Sequence, residues 1–249
     1  MIFFIFIFGL IVGSFLNAVI YRLGSPLSLF ARSSICPHCG HELSWLDLIP
    51  VVSFFVLGRK CRYCEKPISW TYPIVELATA IAFSVIYFQY QSLGLTTYYL
   101  LLTTCFLIVI FVYDLKHFLI LDKVVFPAAL IALGYQAYQG NWKNALLGGA
   151  LLFGFFGLLY LLSRGQWIGF GDVKLGLFLG LLVAWPQTLA LFFLAYFSGA
   201  IFALALVLLR RKKMSDRLPF GTFLTFAAFL AMLWGGEITA WYFRLIGIR

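Results

Sequence analysis

The sequence predicts an all-α polytopic membrane protein. About eight transmembrane helices are expected, with a small loop domain after the first. Three observations lead there. The 249-residue chain is 63% hydrophobic and only 11% charged, against about 25% charged in ordinary soluble domains. Uncharged apolar segments of near span length recur along it. Its Lys and Arg residues gather in alternate connections.

The segments run at about 1–21, 72–90, 98–114, 123–139, 144–163, 173–184, 188–209 and 221–243. The first, "MIFFIFIFGLIVGSFLNAVIY", carries no charge. No basic stretch precedes it and it exceeds a signal-peptide core, so it reads as a retained span. The sixth is short and implies a tilted or partial helix. Glycines at Gly9/Gly13, Gly176/Gly180 and between Gly148 and Gly157 suit close helix packing. Three parts result: a first helix at 1–21, a loop domain at 22–71, and a seven-helix membrane domain at 72–249.

Basic residues orient the chain. Arg22, Arg32, Arg59, Lys60, Arg62, Lys66, Lys116, Lys123, Arg164, Lys174, Arg210, Arg211, Lys212, Lys213 and Arg217 fall on one side. Lys143, Arg244 and Arg249 fall on the other. The positive-inside rule makes the first side cytoplasmic and puts both termini outside. The net charge of +9 then needs no nucleic-acid partner. Topology and attraction to anionic membrane lipid account for it.

The 22–71 loop holds "CPHC" at 36–39 and "CRYC" at 61–64. Two such pairs can offer four thiolates to one tetrahedral ion, typically zinc. A cytoplasmic loop argues against structural disulfides. Cys36, Cys39, Cys61 and Cys64 are therefore the candidate metal ligands. Four thiolates close the shell, so the site is structural and stabilises a loop too small for its own core. His38 and His41 lie beside the first pair as alternative ligands or surface residues. Cys105, inside an apolar span, reads as a packing residue.

Five of the nine acidic residues lie in or near spans: Glu76, Asp114, Asp122, Asp172 and Glu237. A carboxylate at the edge of hydrocarbon needs a partner or a task. The topology brings Asp114, at the end of the third segment, to the depth of Asp172, at the start of the sixth. Two such groups can share a proton, one activating a water and the other protonating a leaving amine. Gly169 and Gly171 suit a tight turn where a substrate backbone approaches. Simpler roles stand beside this one. Asp114 can pair with Lys116 or Lys123. Asp172 can cap its helix or pair with Lys174. Asp122 reads most simply as an N-cap, and Glu76 as a polar packing residue.

At these residues the chain resembles the bacterial type IV prepilin peptidases, a family of GxGD membrane aspartyl proteases. "GLIVGSFLNAVIYRL" is similar to the family's N-terminal signature. The stretch from "CPHCGHELSW" to "YPIVELATA" resembles its cytoplasmic zinc-knuckle domain and the start of the second span. "GFGDVKLG" fits GxGD, and "LPFGTFL" at 218–224 resembles a further signature. The resemblance implies that Asp114 and Asp172 are catalytic, with Gly169, Gly171 and Lys174 in the supporting loop. It implies prepilin or pseudopilin substrates, cut after a basic leader at the cytoplasmic face of the bacterial inner membrane. It also implies N-methylation of the new terminus from S-adenosylmethionine, with Glu76 in "YPIVEL" a candidate for that step. One departure is "ILD" at 120–122, where the family often has an "IPD"-like step.

Two alternatives remain open at this level. One is an intramembrane aspartyl protease with other substrates. The other is a cation transporter with a cytoplasmic zinc domain, whose coordinating acids would lie near the bilayer midplane.

Overall fold

The computed structural model describes residues 1–25, 34–209, 218–245 and 247. Arg32, Arg210, Arg211, Lys212, Lys213, Asp216, Arg217 and Arg249 lie outside the described residues. Helices are α1 (Ile2–Leu23), α2 (Val52–Val56), α3 (Thr71–Tyr90), α4 (Leu95–His117) and α5 (Asp122–Tyr138). They continue as α6 (Trp142–Ser163), α7 (Phe170–Val183), α8 (Gln187–Leu208) and α9 (Phe220–Leu245). A 3-10 turn covers Trp45–Leu48.

Each of the eight apolar segments is a helix. Six are long and apolar enough to cross a membrane: α1, α3, α4, α6, α8 and α9. Among the described residues the candidate spans thus number six, slightly fewer than the eight or so expected. α5 has 17 residues and α7 only 14. At 1.5 Å per residue α7 reaches about 21 Å, short of the roughly 30 Å hydrocarbon layer. Its surroundings explain the length. Val173, Leu175, Phe178 and Leu179 are wholly buried, and α7 touches α5, α6, α8 and α9. A helix hydrophobic on every side and sheathed by neighbours is a core element and need not face lipid along its length.

The chain divides into two compact units, residues 1–105 and 106–249. In the first, α1 lies against α3. A Cβ on Gly9 would stand 2.6 Å from the Ala80 Cα, and one on Gly13 equally close to the Glu76 Cα. Only glycine permits that approach, the small-residue contact expected between membrane helices. Asn17 Nδ2 donates to the Tyr72 carbonyl at 3.0 Å across the same contact.

In the second unit α6 and α7 pack equally closely. A Cβ on Gly180 would collide with the Gly148 carbonyl, and one on Gly176 would stand 2.6 Å from the Phe156 ring. α7 is thus set deep in its unit, with its N-terminal turn presented beside the ends of α4 and α9.

Candidate active site

Asp114 occupies the last turn of α4 and is 4% exposed. Its Oδ2 accepts the Thr222 backbone N–H at 2.9 Å, and the Gly221 N–H points to the same group. Both donors belong to the first turn of α9, whose N–H groups lack helical partners and favour an anion. A Cβ on Gly221 would lie 2.8 Å from Asp114 Oδ2. Glycine here gives the carboxylate access to the helix end.

Asp172 lies in the first turn of α7. Its Oδ2 accepts the backbone N–H of Gly169, the N-cap residue, at 3.2 Å. The capping alternative therefore coexists with a second relationship: Asp172 stands within electrostatic range of Asp114. Each carboxylate rests on a different helix N-terminus, and the two converge. Tyr196 of α8 is also within electrostatic range of Asp172. Its ring centroid lies 5.4 Å from that of Phe220, which in turn meets Phe156 at 5.9 Å. Tyr196 thus joins the neighbourhood of Asp172 to an aromatic cluster with Phe220 and Phe156.

Ile120 is wedged between the supports. A Cβ on Gly171 would approach Ile120 Cβ to 3.0 Å, and one on Gly221 would approach Ile120 Cδ1 to 3.2 Å. Leu121, at the "ILD" step, takes extended backbone at φ −89° and ψ 125°. α5 starts directly after it, so the turn forms without a proline ring. Asp122 is the first residue of α5 and no side-chain cap is made there. It pairs with Lys174 instead, whose Nζ lies 2.7 and 2.8 Å from its two carboxylate oxygens. Lys174 also sits 5.0 Å from the Phe170 ring centroid. The pairings of Asp172 with Lys174 and of Asp114 with Lys116 or Lys123 are not made.

The cysteines meet in the first unit. The sulfurs of Cys36, Cys39, Cys61 and Cys64 all lie within 4.8 Å of one another, with Cys36 and Cys64 at 4.0 Å. A zinc ion bound tetrahedrally at about 2.3 Å needs sulfurs roughly 3.8 Å apart, so the set could hold zinc. Both knuckles share one backbone plan. Cys36 N–H bonds the His41 carbonyl and Cys61 N–H bonds the Lys66 carbonyl, each at 2.9 Å. Antiparallel bridges join Ile35 to Glu42 and Lys60 to Pro67. His41 is stacked on Tyr63 at 3.7 Å, and it does not join the sulfur cluster. Asp47 ties the second knuckle to the 3-10 turn through Arg62 Nε at 2.7 Å and the Tyr63 hydroxyl at 3.1 Å.

Glu76, 7% exposed, faces the same loop. Its Oε2 accepts the Val51 N–H at 2.7 Å, and the Ser14 side chain also bonds it. Sequence reasoning identified the carboxylates but not Gly221, Thr222, Ile120 or the Asp122–Lys174 pair. The "LPFGTFL" stretch was the available signal for the first two.

Comparison with known proteins agrees with this architecture. Residues 7–90 match the bacterial peptidase A24 N-terminal domain, and residues 101–204 match the type IV leader peptidase family. The chain is similar to a prepilin leader peptidase/N-methyltransferase of Aeromonas hydrophila, 32% identical over 96% of this chain and 92% of that protein. A protein of the same name from Bacillus subtilis is 32% identical over 97% of both chains. Another, from Pseudomonas aeruginosa, is 31% identical over 97% of this chain and 93% of its own. No solved structure matches. Near-complete coverage of such relatives, with both halves matched, shows that the chain belongs to the type IV leader peptidase family.

Proposed function

We propose that the protein is a prepilin leader peptidase and N-methyltransferase whose aspartates Asp114 and Asp172 cut the substrate. The observation that supports this most directly is the convergence of the two carboxylates, each on a helix N-terminus. Like charges at short range do not both ionise cheaply, so the pair holds one proton. The ionised carboxylate takes a proton from water as that water attacks the scissile carbonyl. The protonated one donates to the carbonyl oxygen and later, after proton exchange, to the leaving amine. No covalent intermediate is needed. The rings of Tyr196 and Phe220, backed by the buried Phe156, offer an apolar wall for the helix that follows the basic leader.

The cut falls at the cytoplasmic edge of the inner membrane in this reading, because basic residues cluster on the side where α4 ends and α7 begins. Gly169 and Gly171 shape the turn before Asp172, and Lys174 braces it. Zinc held by Cys36, Cys39, Cys61 and Cys64 stabilises the loop fold. Methyl transfer from S-adenosylmethionine to the new amino terminus is assigned to the N-terminal half, with Glu76 its candidate residue. The prepilin or pseudopilin substrate is the partner, and no nucleic acid is involved.

The experiment is co-expression with a prepilin, followed by sequencing of the product's N-terminus and detection of its methyl group. Leader removal with a methylated new terminus is expected. An intact leader would refute the peptidase reading. A cut but unmethylated product would refute the methyltransferase.

A further inference from the structure

The loop between the two knuckles has a second task, independent of the peptidase reading. α2 is fastened to α3 at two points. The Val51 N–H donates to Glu76 Oε2 at 2.7 Å, and the Phe54 ring lies 5.0 Å from the Trp70 ring. Trp70 directly precedes α3, and Glu76 lies five residues beyond its first residue, Thr71. α3 is long and apolar enough to cross a membrane. At 1.5 Å per residue, the Glu76 backbone lies about 8 Å along the helix from Thr71. Its side chain leans back toward the helix start. Val51 is therefore held level with the first two turns of a membrane helix.

Backbone strain marks the same point. Val51 has φ 62°, and the Val52 N–H reaches the Pro50 carbonyl at 2.6 Å. This three-residue turn is rare, and rarer with a β-branched centre. It turns α2 so that Phe54 faces the protein while Val52, Phe55 and Val56 face away, 55%, 57% and 77% exposed. In water such a patch would need a cover. Level with the first turns of a membrane helix, lipid would supply that cover. The chain then leaves through basic residues. Arg59 lies 5.6 Å from the Trp70 ring centroid, and Arg59, Lys60 and Lys66 are all exposed. Apolar residues at acyl depth, a tryptophan at the boundary and cations above it are the layers of an interfacial anchor.

We propose that residues 50–56 dip into the adjoining leaflet, with Val52, Phe55 and Val56 among acyl chains and Arg59, Lys60 and Lys66 on anionic headgroups. The zinc-knuckle loop is thereby held flat against the membrane. The occupant is phospholipid, and the cations select anionic lipid.

The test places p-benzoylphenylalanine at position 56 of the full-length protein, in vesicles of phosphatidylethanolamine and phosphatidylglycerol. Position 15, on the exposed face of α1, is the lipid-facing control. Irradiation and mass spectrometry should give phospholipid adducts at 56 in yield comparable to those at 15. With Arg59, Lys60 and Lys66 changed to Gln, the phosphatidylglycerol share of adducts at 56 should fall to its share of the vesicle. Adducts at 56 only to protein, its own chain or an added prepilin, would overturn the proposal. So would absence of lipid adducts at 56 while position 15 is labelled. A phosphatidylglycerol share unchanged by the Gln variants would overturn the selection for anionic lipid.

Discussion

The backbone N–H of Thr222 donates to Asp114 Oδ2 at 2.9 Å across 108 residues of sequence. The start of α9 thus supports a carboxylate at the end of α4. Gly221 makes the contact possible, since a Cβ there would stand 2.8 Å from the same oxygen. Gly221→Ala must push the carboxylate aside. Misplacement of a reacting group by about 1 Å can lower rates about 100-fold. Cleavage by this variant should fall on that order. Gly154→Ala should be silent, because nothing lies within 4 Å of its added methyl. Initial rates of leader cleavage in membranes measure both.

Lys174 and Asp122 brace the two helix starts that flank the aspartates. Their side chains are 22% and 52% exposed, so the pair adds about 1 kcal/mol or less to stability. Its larger effect is on position, through Ile120 and Gly171. Lys174→Met should therefore insert normally yet cleave about 10-fold or more slowly. Lys174→Arg should recover much of the rate because it can still span both oxygens. Equal rates for Met and Arg would remove the bracing role.

The shared plan of the knuckles makes a paired prediction. Gly40 and Glu65 occupy equivalent positions with φ 69° and 56°. A left-handed residue with a side chain costs about 1–2 kcal/mol. Gly40→Val should weaken zinc retention against a chelator, whereas Glu65→Gly should preserve or improve it.

Asp47 should act as an acid-sensitive fastener of the same loop. Burial pushes its carboxyl up, but Arg62, Ser44 and Tyr63 outweigh this and hold it below the ordinary carboxylate value. A lowered folded value means the stabilisation is complete above the unfolded value of about 3.9 and fades as pH falls through the folded one. Asp47→Asn should lower the melting temperature by a constant amount between about pH 5 and 8. The gap should narrow below about pH 4.

Much of this was legible in sequence because the signals are local or depth-coded. Each apolar run became a helix, and the repeated Cys-x-x-Cys spacing became a four-sulfur cluster. The positions of Asp114 and Asp172 at helix ends brought them together. What was not legible depends on tertiary neighbours. α7 is apolar on every face, and composition does not distinguish a sheathed half-helix from a full span. The Thr222 contact is made by a backbone N–H, which leaves no residue-type signal. Lys174 had Asp172 two residues away and Asp122 far off, and only the fold selects the distant one.

The most direct test is leader cleavage by Asp114→Asn and Asp172→Asn, each in full-length protein with membrane insertion and zinc content verified. Each amide keeps the shape but removes the shared proton, so cleavage should be lost in both while zinc content is unchanged. Cleavage at the unaltered rate by either variant would contradict the two-carboxylate account.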